Sequence, residues 1–302
     1  MQVIRHYALA HPAPCALAIG NFDGMHLGHQ TLLRELVRYA GLNNLASAVM
    51  TFEPHPREFF TPHHAPARLA SLREKLEWCA ELGVNHVFLV RFDQTFANIS
   101  SQDFLQHVLI HSIRAQAVMV GEDFRFGAGR SGGVAQIADA GIKLITLPEV
   151  LIETSNGHQR ISSTAVRNAL AAGELSVAQR LLGRNYSISG TVVRGQQLGR
   201  QLGYPTANVH MRHERPALTG VYAVKLDGMP GVANLGVRPT LAGIPKLSLE
   251  VHLFDFNGDL YQRHVHVEFL HKLRDEIKFA DLSALKAQIA QDVAAAQAYF
   301  SR

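Results

Sequence analysis

Short apolar runs alternate with amphipathic stretches in the N-terminal part of the chain. Residues 15–20 (CALAIG) are apolar throughout and predict a buried strand. The next segment spaces its leucines at helical intervals as far as Gly41, where the pattern predicts the end of the helix. Further strands are predicted at residues 46–52, 86–92, 117–121 and 143–148. Because the intervals between strands leave room for crossover helices, the pattern predicts a parallel sheet with helices on both faces.

The pattern changes after Gly183. Short β-rich pieces follow one another, separated by turn signals such as Asp227-Gly228 and Asn257-Gly258, and they predict a closed antiparallel barrel. The C-terminal part differs and predicts one amphipathic helix. Its apolar residues recur at steps of 3, 4 and 4: Leu282, Leu285, Ile289 and Val293.

Length and charge limit the classes of protein. A chain of 302 residues exceeds what a single hydrophobic core usually organises, and 47% hydrophobic with 18% charged residues is typical of globular proteins. We therefore expect two domains, residues 1–183 and 184–302. The 29 Lys and Arg residues against 25 Asp and Glu residues leave a net charge of +4 without a basic stripe, so no nucleic-acid partner is indicated.

The cysteine content and the N-terminal sequence indicate the cellular compartment in which the protein is located. Cys15 and Cys79 form no C-x-x-C and cannot supply a disulfide framework, which favours a reducing cytoplasm. The first residues are broken by Pro12 and Pro14 and make a poor secretory signal. No run of 18 apolar residues occurs, so we expect a cytoplasmic protein with no membrane partner. We expect it to be a monomer or a weak homo-oligomer.

A glycine-rich stretch, GNFDGMHLGH (20–29), follows the first predicted strand and opens the first helix. Free backbone N–H groups and the helix dipole make such a junction an anion site, and glycines let phosphate approach. His26 and His29 are three residues apart, so both can face one ligand and stabilise a leaving pyrophosphate. Two alternatives remain: a plain turn with two surface histidines, or a metal-binding pair that lacks its third ligand.

A second glycine-rich stretch, residues 195–208 (GQQLGRQLGYPTAN), lies in the predicted barrel. A flexible glycine-rich loop can wrap phosphates through its N–H groups. Thr206 and Asn208 are oxygen donors suited to Mg²⁺, and in an extended segment they would face the same side. The alternative is a surface hairpin, because glycine and proline are common in turns.

The first stretch resembles the H-x-G-H signature of the nucleotidyltransferase superfamily, in the form typical of prokaryotic-type FAD synthetases. A second superfamily element is matched by residues 161–167 (ISSTAVR). The resemblance implies His26, His29 and Arg167 as catalytic residues. It implies ATP binding by Gly20, Asn21, Phe22, Asp23, Gly24, Gly28, Ser162, Ser163 and Thr164. On its own, the second element is more typical of a capped helix with a solvated arginine than of a phosphate site.

Two segments between these motifs resemble flavin- and adenine-contacting parts of the same family. They are TFEPHP (51–56) and VGEDFRFG (120–127), and the second also suits a strand end with a polar turn. The implied flavin-binding residues are Pro54, His55, Pro56, Asp123 and Arg125. Phe92 and Phe96 are candidates for walls of the isoalloxazine site, although phenylalanine is more often a core residue.

The second stretch resembles the G-x-x-x-G-R-x-L-G-Y-P-T-A-N motif of riboflavin kinases. Residues 220–224 and 233–240 resemble later blocks of that family. The resemblance implies Glu250 as the base on the ribityl 5′-hydroxyl and Arg274 as a flavin contact. It implies ATP binding by Gly195, Gly199, Arg200, Gly203, Thr206 and Asn208. Leu249 and Val251 would share one strand face, which places Glu250 on the other, and an exposed strand glutamate is the alternative.

A third glycine pattern, residues 127–132 (GAGRSG), satisfies G-x-G-x-x-G. Six residues, GEDFRF (121–126), separate it from the apolar run AVMV (117–120), so the tight strand-turn-helix of a dinucleotide-binding fold is not set up. No Walker P-loop sequence occurs.

Together the resemblances imply a nucleotidyltransferase domain of the Rossmann-like α/β class, followed by an antiparallel riboflavin-kinase barrel with a C-terminal helix. The implied reactions are riboflavin plus ATP giving FMN, and FMN plus ATP giving FAD and pyrophosphate, with Mg²⁺. Two alternatives stay open: another cytidylyl- or adenylyltransferase with a regulatory barrel, or a non-catalytic flavin-binding module.

Overall fold

The structure is a computed structural model that describes residues 1–7, 13–154, 157–195, 198–211, 216–238 and 246–301. The expectation about a secretory signal falls partly on residues 8–12, outside the described residues. So do Gln196, Gln197, Pro239 and Thr240 of the kinase-like motifs. The chain forms two compact units: Met1–Pro66 with Leu72–Ser162, and Ala67–Ser71 with Ser163–Arg302.

The first unit contains a mainly parallel α/β arrangement. Its strands are β1 Gln2–Ile4, β2 Cys15–Ile19, β3 Ala46–Glu53, β4 His86–Arg91, β5 Ala115–Gly121, β6 Arg125–Phe126, β7 Gly132–Gly133, β8 Lys143–Leu147, β9 Leu151–Thr154 and β10 Gly157–Arg160. Its helices are α1 Leu27–Leu42, α2 Pro56–Phe60, α3 Leu72–Glu81, α4 Gln94–Ala97, α5 Ser101–Asp103, a π-helix at Phe104–Ser112 and α6 Val134–Asp139, with 3-10 turns at Pro62–His64 and Ala128–Arg130.

Among the described residues, six strands form one parallel sheet in the order β1-β4-β3-β2-β5-β8. Side chains alternate between its faces. On β2, Cys15, Leu17 and Ile19 pack into one buried cluster, whereas Ala16 and Ala18 pack into another that includes residues of α1. Both faces are therefore covered, which confirms the predicted sheet and explains why β2 is apolar at every position.

Helix α1 ends later than the sequence predicts. Gly41 lies inside the helix, which continues to Leu42, and the N–H of the C-cap residue Asn43 donates to the carbonyl of Tyr39 at 3.2 Å. The chain leaves the helix at Asn44, whose φ of 55° is left-handed. Asparagine tolerates that conformation, so the prediction that Gly41 ends the helix is wrong.

The second unit opens with two helices and continues as a barrel. Its elements are α7 Ser163–Ala171, α8 Leu175–Leu182, β11 Tyr186–Val193, α9 Leu198–Leu202, β12 Ala207–His210, β13 Gly220–Leu226, β14 Met229–Arg238, β15 Lys246–Leu253, β16 His264–Arg274 and α10 Leu282–Phe300. In the described part of this unit the strands close in the order β11-β12-β15-β14-β13-β16, and every pair is antiparallel. The predicted barrel and C-terminal helix are confirmed.

The two faces of the barrel strands differ in what they contact. Tyr222 and Phe269 are fully buried and meet edge to face, with 5.3 Å between ring centroids. The alternate residues of β13, Val221 and Ala223, pack instead in a second cluster with Ala296 of α10. Helix α10 therefore lies on the outer face of the barrel, over the same face that carries Val221.

Candidate active sites

The turn between β2 and α1 brings two imidazoles together. His26 is the N-cap of α1, and its Nδ1 accepts a hydrogen bond from the backbone N–H of His29 at 3.3 Å. The rings of His26 and His29 stack with 3.6 Å between centroids and 17° between planes. Because Nδ1 of His26 is an acceptor, the neutral ring carries its proton on Nε2, which makes that atom a donor.

His29 is uncharged at neutral pH. Burial is the largest cause that lowers its pKa well below 6.5, and His26 and Lys75 lower it further. Nδ1 of His29 is buried and has no hydrogen-bond partner. The pair therefore offers neutral N–H donors at the positive end of a helix, an arrangement suited to phosphate oxygens.

Lys75 is a charged group in this site that the sequence analysis missed. It lies on α3 and is buried, and its Nζ donates to Oγ1 of Thr51 at 3.3 Å. Oγ1 of Thr51 in turn donates to the carbonyl of Asn21, also at 3.3 Å. The sequence signal for Lys75 is its position on the buried side of an amphipathic helix. A lysine is rarely buried unless it interacts with a polar partner, so such a position indicates a functional or paired lysine.

Glycines keep the turn tight and the helix end open. Gly24 has a φ of 78°, and a Cβ on Gly28 would lie 3.2 Å from the ring of His26. The same atom would lie 3.9 Å from the carbonyl oxygen of Ile161, so the start of the second motif, with Ser162 next in sequence, reaches the N-terminus of α1. The two motifs of the N-terminal site thus meet at these residues.

The rest of the second motif belongs to the second compact unit. Ser163 begins α7, with Thr164 next, and Arg167 lies one turn further along it. Nε of Arg167 donates to the carbonyl of Ala67 at 2.6 Å, within that unit. The roles of Ser163, Thr164 and Arg167 in the ATP site stay predictions from the motif.

The segment after β3 forms an aromatic surface. His55 caps α2 between Pro54 and Pro56, and its Nδ1 accepts from the N–H of Arg57 at 3.1 Å. Phenylalanine rings meet around this segment with centroids 5.2 to 5.8 Å apart: Phe52, Phe59, Phe60, Phe92 and Phe96. Phe60 is 61% exposed and Phe92 and Phe96 are partly buried, so the cluster reaches solvent.

Asp123 and Arg125 lie at the turn between β5 and β6. Nη2 of Arg160 lies 3.6 Å from Oδ2 of Asp123, whose side chain is exposed, and Arg125 is exposed as well. If these two residues contact the flavin, as predicted, they do so from the exposed polar edge of the site.

The G-x-G-x-x-G pattern serves packing. A Cβ on Gly127 would lie 2.6 Å from the backbone N of Ser101, and one on Gly132 would lie 2.6 Å from the ring of Phe126. The glycines lie in a 3-10 turn and a short hairpin. This local structure differs from the strand-turn-helix of a dinucleotide-binding site, in agreement with the sequence analysis.

In the second unit, five residues form one row across five neighbouring strands. Direct register partners are, in order, Asn208, Glu250, Asn234, Val221 and Arg274. Directly opposed residues in antiparallel strands share a face of the sheet, so all five side chains lie on the same face of the barrel wall. All five line a cavity of about 470 Å³, within the size range of small-molecule sites.

Glu250 occupies the polar end of this row. Leu249 and Val251 are buried, so Glu250 lies on the other strand face, as predicted. Its carboxylate accepts from the hydroxyl of Thr206 and from that of Ser248, each at 3.4 Å. Thr206, Asn208 and Glu250 thus place hydroxyl, amide and carboxylate oxygens together, a donor set that fits Mg²⁺.

Two glycines of the second motif are required by close packing. A Cβ on Gly195 would lie 2.6 Å from the side-chain amide of Asn208, and one on Gly199 would overlap the carbonyl oxygen of Tyr204. Leu198–Leu202 forms helix α9, so the expectation of a flexible loop is wrong for this stretch. The glycines allow the short helix to lie directly on Tyr204 and Thr206.

A second, larger cavity of about 1060 Å³ adjoins the first. Tyr204, Thr206 and His252 line both cavities, and Arg200 and Gly203 line only the larger one. Nδ1 of His252 lies 2.8 Å from the carbonyl of Pro205, which ties β15 to the motif. The motif residues therefore stand between two adjacent cavities.

Arg274 is not a solvated arginine. Its Nε and Nη2 contact the carboxylate of Asp292 at 2.8 and 2.6 Å, and both residues line the smaller cavity. Sequence reasoning missed Asp292, Asn234 and Ser248. Asn234 falls in a block that resembles the kinase family, whereas nothing in the sequence singles out Asp292 or Ser248.

In the described part of the chain, no helix combines the length and apolar character needed to cross a membrane.

Comparisons with known proteins agree with the division into two sites. The sequence matches the family model for FAD synthetase over residues 9–165 and the model for riboflavin kinase over residues 182–300. The bifunctional riboflavin kinase/FMN adenylyltransferase of Escherichia coli (strain K12) is 48% identical and covers 99% of this chain and 98% of its own. The protein of the same name from Haemophilus influenzae is 44% identical and covers 100% of both chains.

A solved structure described as a macrolide-efflux protein from Streptococcus pneumoniae shares the fold. It has a TM-score of 0.79 and 30% sequence identity, over 97% of this chain and 96% of that one. A parallel α/β unit with a histidine pair, joined to a barrel with a carboxylate-lined cavity, defines a two-domain enzyme of the nucleotide-dependent transferase class. The chain belongs to the family of bifunctional riboflavin kinase/FMN adenylyltransferases, with the FAD synthetase part N-terminal and the riboflavin kinase part C-terminal.

Proposed function

We propose that the chain carries out the two activities of its family at two separate sites. The barrel transfers a phosphoryl group from ATP to riboflavin and gives FMN and ADP. The α/β unit transfers an adenylyl group from a second ATP to FMN and gives FAD and pyrophosphate. The observation that carries this proposal is the row of residues from Asn208 to Arg274. The row lines one cavity, which contains both the polar groups Asn208 and Glu250 and an apolar wall suited to a flavin ring.

In the kinase site, Glu250 takes the proton of the ribityl 5′-hydroxyl. It lies at the polar end of the row, and the hydroxyls of Thr206 and Ser248 hold its carboxylate in place. A base must approach the proton to about 3 Å, which a fixed carboxylate in a ligand-sized cavity can do. Mg²⁺, held by Thr206 and Asn208, would supply charge neutralisation for the transferred phosphoryl group.

The two adjoining cavities suit the two substrates. The smaller one has apolar walls that suit the isoalloxazine ring: Leu202, Val221, Val232, Ile277, Phe279, Leu285 and Ile289. The larger one contains Arg200 and Gly203 of the motif, which suit the phosphates of ATP. Thr206 lines both, so the transferred phosphoryl group would pass beside it.

In the adenylyltransferase site, His26 and His29 hold the phosphates of ATP. Neutral imidazole N–H groups and free backbone amides at the start of α1 stabilise the charge that develops on pyrophosphate. The backbone and side chains of residues 20–24, Gly28 and Ser162 complete the ATP site. Ser163, Thr164 and Arg167 join it on the basis of the motif.

The flavin of FMN lies against the aromatic surface after β3. Pro54, His55 and Pro56 shape this surface, and the exposed ring of Phe60 supports a stacking role. Asp123 and Arg125 contribute polar contacts at its rim. Three further properties stay predictions from the sequence. The first domain ends at residue 183 and the second begins at residue 184, the protein is cytoplasmic, and it is a monomer or a weak homo-oligomer.

Product analysis tests the proposal. The protein is incubated with riboflavin, ATP and Mg²⁺, and flavins are separated by chromatography. We expect FMN to appear first and FAD to follow, with ADP and pyrophosphate as co-products. If neither FMN nor FAD forms, the enzymatic proposal is wrong. Formation of FAD from FMN without kinase activity would leave the barrel a regulatory role.

A further inference from the structure

The ion pair between Arg274 and Asp292 is built into the flavin cavity and extends the kinase site described above. Asp292 is 7% exposed, and its Oδ1 accepts from both Nε of Arg274 and Nε2 of Gln288, at 2.8 and 3.0 Å. Its Oδ2 accepts from Nη2 of Arg274 at 2.6 Å. A buried carboxylate that holds an arginine in two-point contact fixes the guanidinium plane.

The fixed guanidinium still has donors to offer. Nη1 of Arg274 donates to the carbonyl of Asp275 at 2.9 Å, so the described contacts engage three of its N–H groups. A guanidinium has five N–H groups in a rigid fork, which leaves two for a ligand. Because Arg274 lines the cavity, these two are available to an acceptor bound there.

The position of the pair matches the length of riboflavin. Arg274 and Glu250 are three strand steps apart in the row, which corresponds to roughly 14 Å along the sheet. In the proposed site the ribityl 5′-hydroxyl lies at Glu250. The ribityl chain leaves the central ring of the isoalloxazine, so either terminal ring can lie at this distance. Of the two, only the pyrimidine ring carries hydrogen-bond acceptors, and it is the ring that the donors of Arg274 would select.

We infer that Asp292 is a specificity-determining residue of the kinase, which acts by positioning Arg274 against the pyrimidine edge of the isoalloxazine. That edge carries two carbonyl oxygens, one on each side of N3–H, and carbonyl oxygens are the acceptors that the two remaining guanidinium N–H groups require. The inference rests on the proposed kinase site. It assigns a task to Asp292 of helix α10, whose apolar residues Leu285 and Ile289 line the same cavity.

The test compares riboflavin with its two thio analogues, in which sulfur replaces one or the other pyrimidine carbonyl oxygen. Asp292→Asn keeps the shape but loses the charge, and Arg274→Lys keeps the charge but loses the fork. In both variants we expect the KM for riboflavin to rise by about 10-fold or more with a smaller change in kcat, because a charge-assisted contact is lost. The wild-type preference for riboflavin over at least one thio analogue should disappear.

Gln291→Ala, an exposed neighbour on the same helix, is the matched control and should keep the preference. The kcat that each variant retains for FMN formation reports on the folding of the barrel, and FAD formation from FMN by the same preparations checks the other unit. Fluorescence titration with the three flavins measures binding without turnover. Failure of the wild type to make FMN would remove the proposed kinase, whereas an equal rise in KM for all three flavins, or none, would overturn the role of Asp292 alone.

Discussion

At the scale of single residues, the two proposed sites depend on groups that act in opposite ways. His29 acts as a neutral donor because burial lowers its pKa, with His26 and then Lys75 as smaller causes. Nδ1 of His26 accepts a hydrogen bond, which leaves its Nε2 as the donor. Glu250 acts as an acceptor that two hydroxyls hold in place. Each can be removed without touching the other unit.

His29→Ala should lower FAD formation from FMN by about 100-fold or more, because a donor to the developing pyrophosphate charge is lost. FMN formation from riboflavin should stay within about twofold, because Glu250 and the barrel are untouched. Separate assays with FMN and with riboflavin measure both. His107→Ala, an exposed histidine of the same unit, is the control, and equal loss of both activities in His29→Ala would contradict separate sites.

Glu250→Gln should have the opposite effect to His29→Ala: FMN formation should be lost and FAD formation kept. The variant keeps nearly the same shape and loses the base, so kcat for FMN formation should fall by about 100-fold or more. FAD formation from added FMN should persist. Glu174→Gln, at the start of α8, serves as the control because its side chain makes no capping bond; unchanged kinase turnover in Glu250→Gln would mean that another group takes the proton.

The depressed pKa of His29 predicts a stability that depends on pH. The unfolded chain binds a proton at this histidine below pH 6.5, whereas the folded protein does not until its lower pKa is reached. His29 therefore costs nothing above pH 6.5 and destabilises the fold by about 1.4 kcal/mol per pH unit between 6.5 and the folded pKa. Denaturant unfolding of the wild type and of His29→Gln across this window measures the difference. A gap between the two that does not change with pH would contradict it.

At the scale of elements, glycines set how closely the second motif approaches the barrel. Gly195→Ala would place a Cβ 2.6 Å from the amide of Asn208 and push that side chain out of the row. We expect kinase activity to fall by about 10-fold or more, because displacement of Asn208 weakens Mg²⁺ binding and raises the Mg²⁺ concentration needed for half-maximal activity. Titration of Mg²⁺ in the kinase assay measures it.

Gly41→Ala is the matched control for this change. A Cβ at Gly41 meets nothing within 4 Å, and the residue lies inside α1. Both activities should be unaffected, and the protein should gain about 0.5 to 1 kcal/mol from the better helix former. If Gly195→Ala matches Gly41→Ala in both activities, the packing on Asn208 is irrelevant to function.

At the scale of the whole molecule, one chain joins two sites that share an intermediate. The barrel produces FMN, and the α/β unit consumes it. Two different lesions should therefore complement each other in solution, since FMN is a diffusible small molecule.

Mixing His29→Ala with Glu250→Gln should restore FAD formation from riboflavin, although neither variant alone makes FAD efficiently. The first variant supplies FMN and the second converts it. Chromatography of the mixture over time should show FMN rising before FAD. Absence of FAD from the mixture, with each variant active in its own half-reaction, would mean that flavin passes only within a single chain.

The sequence by itself determined the elements that carry strong periodicity or a dense motif. The apolar run of β2 and the strands of the barrel follow from the spacing of their apolar residues. The spacing also locates helix α10, although Leu282 of that pattern is exposed and the residues buried in the helix are Asp292 and Ala296. The glycine-rich stretches locate both sites, because glycine is required where backbone approaches phosphate or another chain segment. Helix α1 was predicted, but its end was not, because an asparagine and not the glycine leaves the helical conformation.

Only the tertiary structure decided which distant residues meet. The register of five strands places Asn208, Glu250 and Arg274 on one surface, and α10 brings Asp292 to the end of that row. Lys75 approaches the histidines through the packing of α3 behind the sheet. Such contacts depend on strand order, register and helix placement, which arise from the packing of the whole chain. A local pattern can mark a residue such as Lys75 as unusual, but it does not say which residues that side chain meets.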